Sequence, residues 1–298
     1  LLPTKNPKFQ EYYAPAVATK QLWRLGVGFF ILFVVYLTFP LLLFLVGKKF
    51  NLLPIVHTGL DMSDPISIIF MLFSFIGLFI AVISIVGLLH QRSLKSLLGP
   101  SIRSVSKNAF YGFAMICMLS GISIFIYSFI DPPTRQMDVS VWLSWMVFAI
   151  PLLIIQISSE ELIFRGYFQQ QLAARFDSRW IWYFLPSLLF GLLHYSPQMM
   201  GSNAWLVVAN TTLFGLIAAD LTVRTGNLGA ALGMHFANNL FAMMIVTLDG
   251  ALPGLGLYLT SVHVSDVEQI RGLLIFDFCL VVGLYGAFLY WVRNKAEL

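Results

Sequence analysis

Charge is what this sequence has least of. Asp, Glu, Lys and Arg together make up 11% of its 298 residues, where an ordinary soluble domain carries about 25%. A string of soluble domains is therefore excluded. The charge that remains is basic in excess, 18 Lys and Arg against 14 Asp and Glu. In a soluble chain that would suggest nucleic acid. Membrane proteins, however, gather Lys and Arg in cytoplasmic loops for topological reasons, so no nucleic-acid partner is expected. Cysteine is also scarce. Cys117 and Cys279 both lie in apolar runs, which excludes a disulfide framework and makes them small core residues. There is no internal repeat, no low-complexity tract and no His-Glu-x-x-His zinc motif. No cleavable signal is expected either, because Thr4 to Arg24 is polar, Pro-containing and basic.

What is there is hydrophobic: 58% of the chain, with a mean hydropathy of +0.82. A bilayer crossing needs ~20 apolar residues. The pattern predicts an all-α, polytopic membrane helical bundle with about eight transmembrane helices. Residues 1–23 form a polar cytoplasmic N-terminal lead whose Tyr12, Tyr13 and Trp23 suit the membrane interface, and residues 24–298 form the membrane domain. Spans are expected over Arg24–Val46, Pro65–His90, Ala109–Ile130, from Val141 through the Glu160-Glu161 pair, and over Trp180–His194, Ala204–Leu221, Leu228–Thr247 and Gly272–Trp291. The basic stretch Gln91–Arg103 is too short to span and is expected along the cytoplasmic surface. Eight spans put both termini on one side. With both inside, only Lys48, Lys49, Arg135 and Arg271 fall outside, which predicts a cytoplasmic N-terminus and C-terminus.

Against that background Ser158-Ser159-Glu160-Glu161-Leu162-Ile163-Phe164-Arg165 stands out, because it puts three ionisable groups at the end of an apolar span. A charge near the bilayer centre costs roughly 2.5–3.5 kcal/mol on insertion scales, so such residues are functional hypotheses by default. At ~100° per residue Glu161 lines up with Arg165, while Glu160 points to another face. The simplest division has Arg165 neutralise Glu161, leaving Glu160 for chemistry. His194 ends a later span, and His235 and Asn239 share one face of another. A carboxylate and an imidazole can hold and deprotonate a water, and a second imidazole with a carboxamide can donate to an oxyanion. That equipment suits peptide hydrolysis. Glu and two His could also hold zinc with an open position, but the diagnostic spacing is absent and a metal-free site is preferred. Asp220 and Asp277 lie near span ends and read as interfacial or capped, while His57, His90 and His263 read as solvated.

Four short motifs in order resemble the CPBP family, which groups type II CAAX prenyl endopeptidases with bacterial bacteriocin-immunity-like (Abi) proteins. Glu-Glu-x-x-x-Arg stands as Glu160-Glu161-Leu162-Ile163-Phe164-Arg165, Phe-x-x-x-His as Phe190 to His194, and His-x-x-x-Asn as His235 to Asn239. Phe214-Gly215 and Thr225-Gly226-Asn227-Leu228 also match. The resemblance covers residues 145–245, the catalytic-motif core. It implies an intramembrane glutamate-type endopeptidase of the bacterial inner membrane with no cofactor and a membrane-associated, possibly prenylated, peptide or protein substrate. Glu160 and His194 would activate water, His235 and Asn239 would bind the oxyanion, and Glu161 and Arg165 would support the site. The alternatives are a zinc-dependent version of the same protease, a non-catalytic membrane immunity or scaffold protein, and, less favoured, a transporter.

Overall fold

A computed structural model describes residues 4–56 and 59–296, so His57 lies outside the described residues. In chain order the helices are α1 (Pro7–Val17), α2 (Leu22–Lys49), α3 (Pro65–His90), α4 (Leu94–Leu98), α5 (Ile102–Ile130) and α6 (Val139–Glu161). There follow α7 (Gln169–Ala173), α8 (Leu185–Leu192), α9 (Pro197–Met200), α10 (Ala204–Thr225), α11 (Gly229–Leu240) and α12 (Val267–Ala296). Wider π-helical turns run on from α6 at Leu162–Phe168, lead into α8 at Trp180–Phe184 and extend α11 at Phe241–Ile245. The chain is a polytopic helical membrane bundle. Among the described residues six helices are long and apolar enough to cross a bilayer: α2, α3, α5, the continuous rod Val139–Ala173, α9 with α10, and α12. The expected spans at Trp180 and Leu228 are shorter apolar helices packed among these six.

Local chemistry sets the helix starts. Pro65 follows Asp64, whose Oδ1 accepts from the Ile66 N–H at 2.7 Å, and Asn6 before Pro7 accepts from the Phe9 N–H at 2.9 Å. An oxygen cap followed by proline satisfies one orphan donor and removes another. Gly226 closes α10 with φ +68, a left-handed conformation that glycine adopts without a Cβ penalty.

Several expectations need correcting. The N-terminal lead is not a loose interfacial arm. It folds into α1, which lays Phe9, Tyr12 and Ala16 into the core. The Tyr12 hydroxyl donates to the Leu97 carbonyl at 2.6 Å, and burial pushes its pKa upward. The basic stretch after α3 is mostly exposed or half-buried, as expected of a surface segment, but it turns Leu97 inward, and Arg92 bonds Gln170 and the Ser96 carbonyl. Its last residues already belong to α5. His90, read as solvated, is buried and bonded to the Tyr167 hydroxyl at 3.0 Å and to Thr19 at 3.0 Å. His263 is exposed, as expected. Asp220 is buried against Arg224 at 2.6 Å and takes the Tyr285 hydroxyl, so it ties α10 to α12.

The span expected to reach Thr247 turns extended at Val246. Strands β3 (Thr134–Arg135), β4 (Val246–Asp249) and β5 (Tyr258–His263) form a small sheet ordered β3-β5-β4. It closes the end of the bundle opposite α1. A hairpin of β1 (Ile55–Val56) with β2 (Gly59–Leu60) joins α2 to α3.

Helices α5 and α11 approach closely. Gly229 and Gly233, four apart on α11, bring its backbone against the Val105 and Ala109 carbonyls of α5, and a Cβ at either position would collide with those oxygens. Small residues at this spacing let membrane helices approach and gain dispersion contact in place of a hydrophobic driving force. This seam fixes the helix that carries His235 and Asn239. Gly233→Leu is expected to destabilise the fold by about 1–3 kcal/mol through overpacking, which thermal unfolding in detergent would register as a lower midpoint.

Candidate active site

The rod from Val139 to Ala173 runs through the middle of the bundle, and its turn from α-helical to π-helical falls just after Glu161. Such turns occur often at functional sites. Every residue of the π-helical segment is buried.

Glu161 sits at the centre of the site and is fully buried. Its Oε1 accepts from Arg165 Nη1 at 2.9 Å and lies 2.7 Å from His235 Nδ1. Arg165 is also buried, and its guanidinium lies over the Phe190 ring at 4.5 Å. The expected Glu161–Arg165 pair is therefore present, and Glu161 does more than was expected of it. An ionised carboxylate only accepts, so His235 must carry its proton on Nδ1 and turn Nε2 the other way. Nε2 lies 3.4 Å from Glu160 Oε2, just beyond ordinary hydrogen-bond length. That Glu160 oxygen has no other partner among the described residues. The two adjacent carboxylates thus bracket one imidazole from its two nitrogens. Phe190 and Phe214 hold the ring edge-on, with centroids at 5.9 and 5.2 Å.

His194 lies just past the end of α8 and is half-buried. Its Nδ1 is 2.9 Å from the Phe190 carbonyl, an acceptor, so Nδ1 carries the proton and Nε2 keeps its lone pair. Asn239, one turn beyond His235 on α11, donates through Nδ2 to Gln156 Oε1 at 3.0 Å. Gln156 is buried on α6, one turn before Glu160. Sequence reasoning passed over Gln156. The signal available was its spacing: a carboxamide in an apolar run, four residues before Glu160, lies on the same helix face.

Two cavities meet at Phe190 and His194. One, of about 330 Å³, contains Glu160 and His194 among aromatic and aliphatic walls from α2, α3 and α8. The other, of about 340 Å³, contains His194, His235 and Asn239. Glu160, His194, His235 and Asn239 therefore converge on one region, with Glu161 and Arg165 behind them. Among the described residues no group of three or more His, Cys, Asp or Glu is arranged to hold a metal ion.

Among the described residues Arg165 is the one Arg or Lys bonded to Glu161, and removing one partner of a buried ion pair strands the other charge. Arg165→Ala is expected to lower stability by about 3–5 kcal/mol, measured by thermal unfolding in detergent, whereas Arg165→Lys should recover part of the loss.

Two comparisons bear on this geometry. An uncharacterized protein of Bacillus subtilis (strain 168), YyaK, is 26% identical over 251 residues, covering 79% of this chain and 82% of that protein. Residues 141–241 match the family model described as Type II CAAX prenyl endopeptidase Rce1-like. That stretch includes every residue that builds the site: Gln156, Glu160, Glu161, Arg165, His194, His235 and Asn239. Across those residues the chain is similar to the type II CAAX prenyl endopeptidases, a family of proteases.

Proposed function

We propose that the protein is an intramembrane glutamate-type endopeptidase that hydrolyses a peptide bond of a membrane-associated substrate near the cytoplasmic face of a bacterial inner membrane. The observation that carries this reading is the unpartnered Glu160 oxygen facing His235 across 3.4 Å, with His194 on the wall of the same cavity as Glu160. The two imidazoles have different partners and so different tasks. His194, with its proton committed to the Phe190 carbonyl, presents a lone pair. Together with the Glu160 carboxylate it can hold a water and accept its hydrogens.

In the reaction, the water oxygen attacks the scissile carbonyl carbon as Glu160 takes the water's proton. The C–O double bond becomes a single bond and its electron pair goes to the oxyanion. Asn239 spends one of its two amide hydrogens on Gln156 and keeps the other for that oxygen. His235, anchored by Glu161, presents Nε2 to the same place, where as an imidazolium it donates. Collapse of the tetrahedral intermediate breaks the C–N bond, and the proton held by Glu160 passes to the leaving amine. No covalent enzyme intermediate is needed.

The basic residues support the orientation, with N-terminus and C-terminus inside. The aromatic cavity beside Glu160 is consistent with an apolar or prenylated segment of the substrate.

Purified protein should cut at least one member of a panel containing a prenylated tetrapeptide-tailed reporter and small membrane peptides. Glu160→Gln is expected to lower kcat by about 10²–10⁴ through loss of general-base catalysis, and a variant that cuts as fast as the parent would overturn the assignment. Asn239→Ala is expected to cost about 10²–10³ in kcat with KM little changed, and Gln156→Ala less. If Glu160→Gln left a cellular phenotype intact, the protein would act by binding and not by hydrolysis.

A further inference from the structure

The cavity of about 340 Å³ that holds His194, His235 and Asn239 has another wall, α12, and that wall carries a carboxylate. Asp277 stands about 15 Å along α12 from Val267, at ~1.5 Å per residue. This is neither a span end nor a cap, so the reading of Asp277 as an interfacial residue does not hold. Of the other acidic groups in the spans, Glu161 is matched by Arg165 and Asp220 by Arg224, and Glu160 faces His235. Asp277 has no ion-pair or side-chain hydrogen-bond partner among the described residues. No Lys or Arg lines the cavity it faces. An ionisable side chain within a span calls for a partner or a polar cavity, and by default it marks a binding or transport function.

The neighbouring polar groups favour donors as ligands. Asn210 gives its Nδ2 hydrogen to the Leu274 carbonyl, one turn from Asp277, and its Oδ1 has no partner. Asn238 spends its Nδ2 on Asn239 Oδ1 at 3.1 Å. Thr211 donates its hydroxyl to the Val207 carbonyl at 2.8 Å. Near Asp277 what remains is the unpartnered Asn210 oxygen, one amide hydrogen each on Asn210 and Asn238, and one negative charge, with the donors His235 and Asn239 on the part of the wall that faces the cleaved bond. An anionic group would meet a like charge in Asp277, and a purely apolar group would cover it without compensation. A cation bearing several N–H donors fits both the charge and the hydrogen-bonding demand.

We propose that this cavity is a substrate subsite for a basic side chain, Lys or Arg, and that Asp277 is its counter-ion and a specificity-determining residue. This rests on the peptidase reading above and extends it. The opposite cavity, walled by Phe29, Phe33, Phe75, Phe164 and Phe168, takes the apolar part of the same substrate. Since the two cavities meet at Phe190 and His194, the cut falls between a greasy segment and a cationic one.

The test uses the full-length protein in detergent or nanodiscs, with matched peptides that differ only by Lys or norleucine beside the cleaved bond. The parent should prefer Lys in kcat/KM by about tenfold or more. Asp277→Asn should bring that ratio to roughly one, chiefly through KM, and Asp277→Lys should turn it against Lys and towards Glu. Agmatine binding by calorimetry gives a readout that needs no turnover: the parent should bind saturably and Asp277→Asn at least about tenfold more weakly. Equal cleavage of the two peptides by the parent, or an unchanged ratio in an Asp277→Asn protein that unfolds at the parental temperature, would overturn the proposal. If neither variant folds, displacement of agmatine from the parent by the Lys peptide and not by its norleucine twin supports it, and indifference to both sinks it. If no peptide is cut, the peptidase reading fails separately, and the agmatine measurement still decides whether Asp277 forms a cation site.

Discussion

A single buried carboxylate holds this site together. Glu161 has no exposed surface, and its Oε1 is shared by the Arg165 guanidinium and His235 Nδ1. A charge in so dry a place is tolerable only when it is paired and hydrogen-bonded, because desolvation is charged against each ion separately. The pairing therefore constrains two helices at once: the rod that carries Glu160 to Arg165 and α11, which carries His235. Close approach of α11 to α5 through Gly229 and Gly233 makes that reach possible, since α11 must sit deep in the bundle to present Nδ1 to Glu161.

From this constraint comes the difference between the two adjacent glutamates. Glu161 has its Oε1 taken by both Arg165 and His235, while its Oε2 is buried without a partner among the described residues, and it serves as a structural anchor. Glu160, one residue earlier and about 100° round the helix, looks into a cavity with a free oxygen. The same logic separates the two histidines. His235 has its tautomer set by a carboxylate and His194 by a backbone carbonyl, and in each case Nε2 is turned towards the region where the cavities meet. Orienting a reactive ring through its other nitrogen is a general device for fixing both tautomer and aim.

The rest of the fold insulates this arrangement. At one end α1 folds back over α7 and α10, with Asn6 bonded to the Val223 carbonyl and Lys5 to the Ala173 carbonyl. Beneath it Tyr12, Arg92, Gln170, Gln171 and His90 form a connected polar layer. Each of these side chains makes at least one hydrogen bond, although Arg92 Nη1 is buried without a partner among the described residues. At the other end the β3-β5-β4 sheet covers the bundle, and the Trp142 indole N–H donates to the Met244 carbonyl at 2.9 Å. These features stiffen the ends of the helices whose middles carry the proposed chemistry.

The amino-acid sequence by itself determined the helical membrane character, the order of the spans and the candidate residues Glu160, Glu161, Arg165, His194, His235 and Asn239. Each is announced by composition or by helical spacing, which are local properties. It did not reveal that α1 is core, because Tyr12 reads as interfacial in a polar lead until a partner surface is known. Nor did it show that His90 and Asp220 are buried, since burial depends on what lies across the gap and not on neighbours in the chain. Only the tertiary structure decided that Glu161 serves His235 as well as Arg165, that Gln156 holds Asn239, and that Asp277 faces the same cavity as the two histidines. The first two relations join residues 74 and 83 positions apart, and such contacts arise from packing, which periodicity along one helix does not encode.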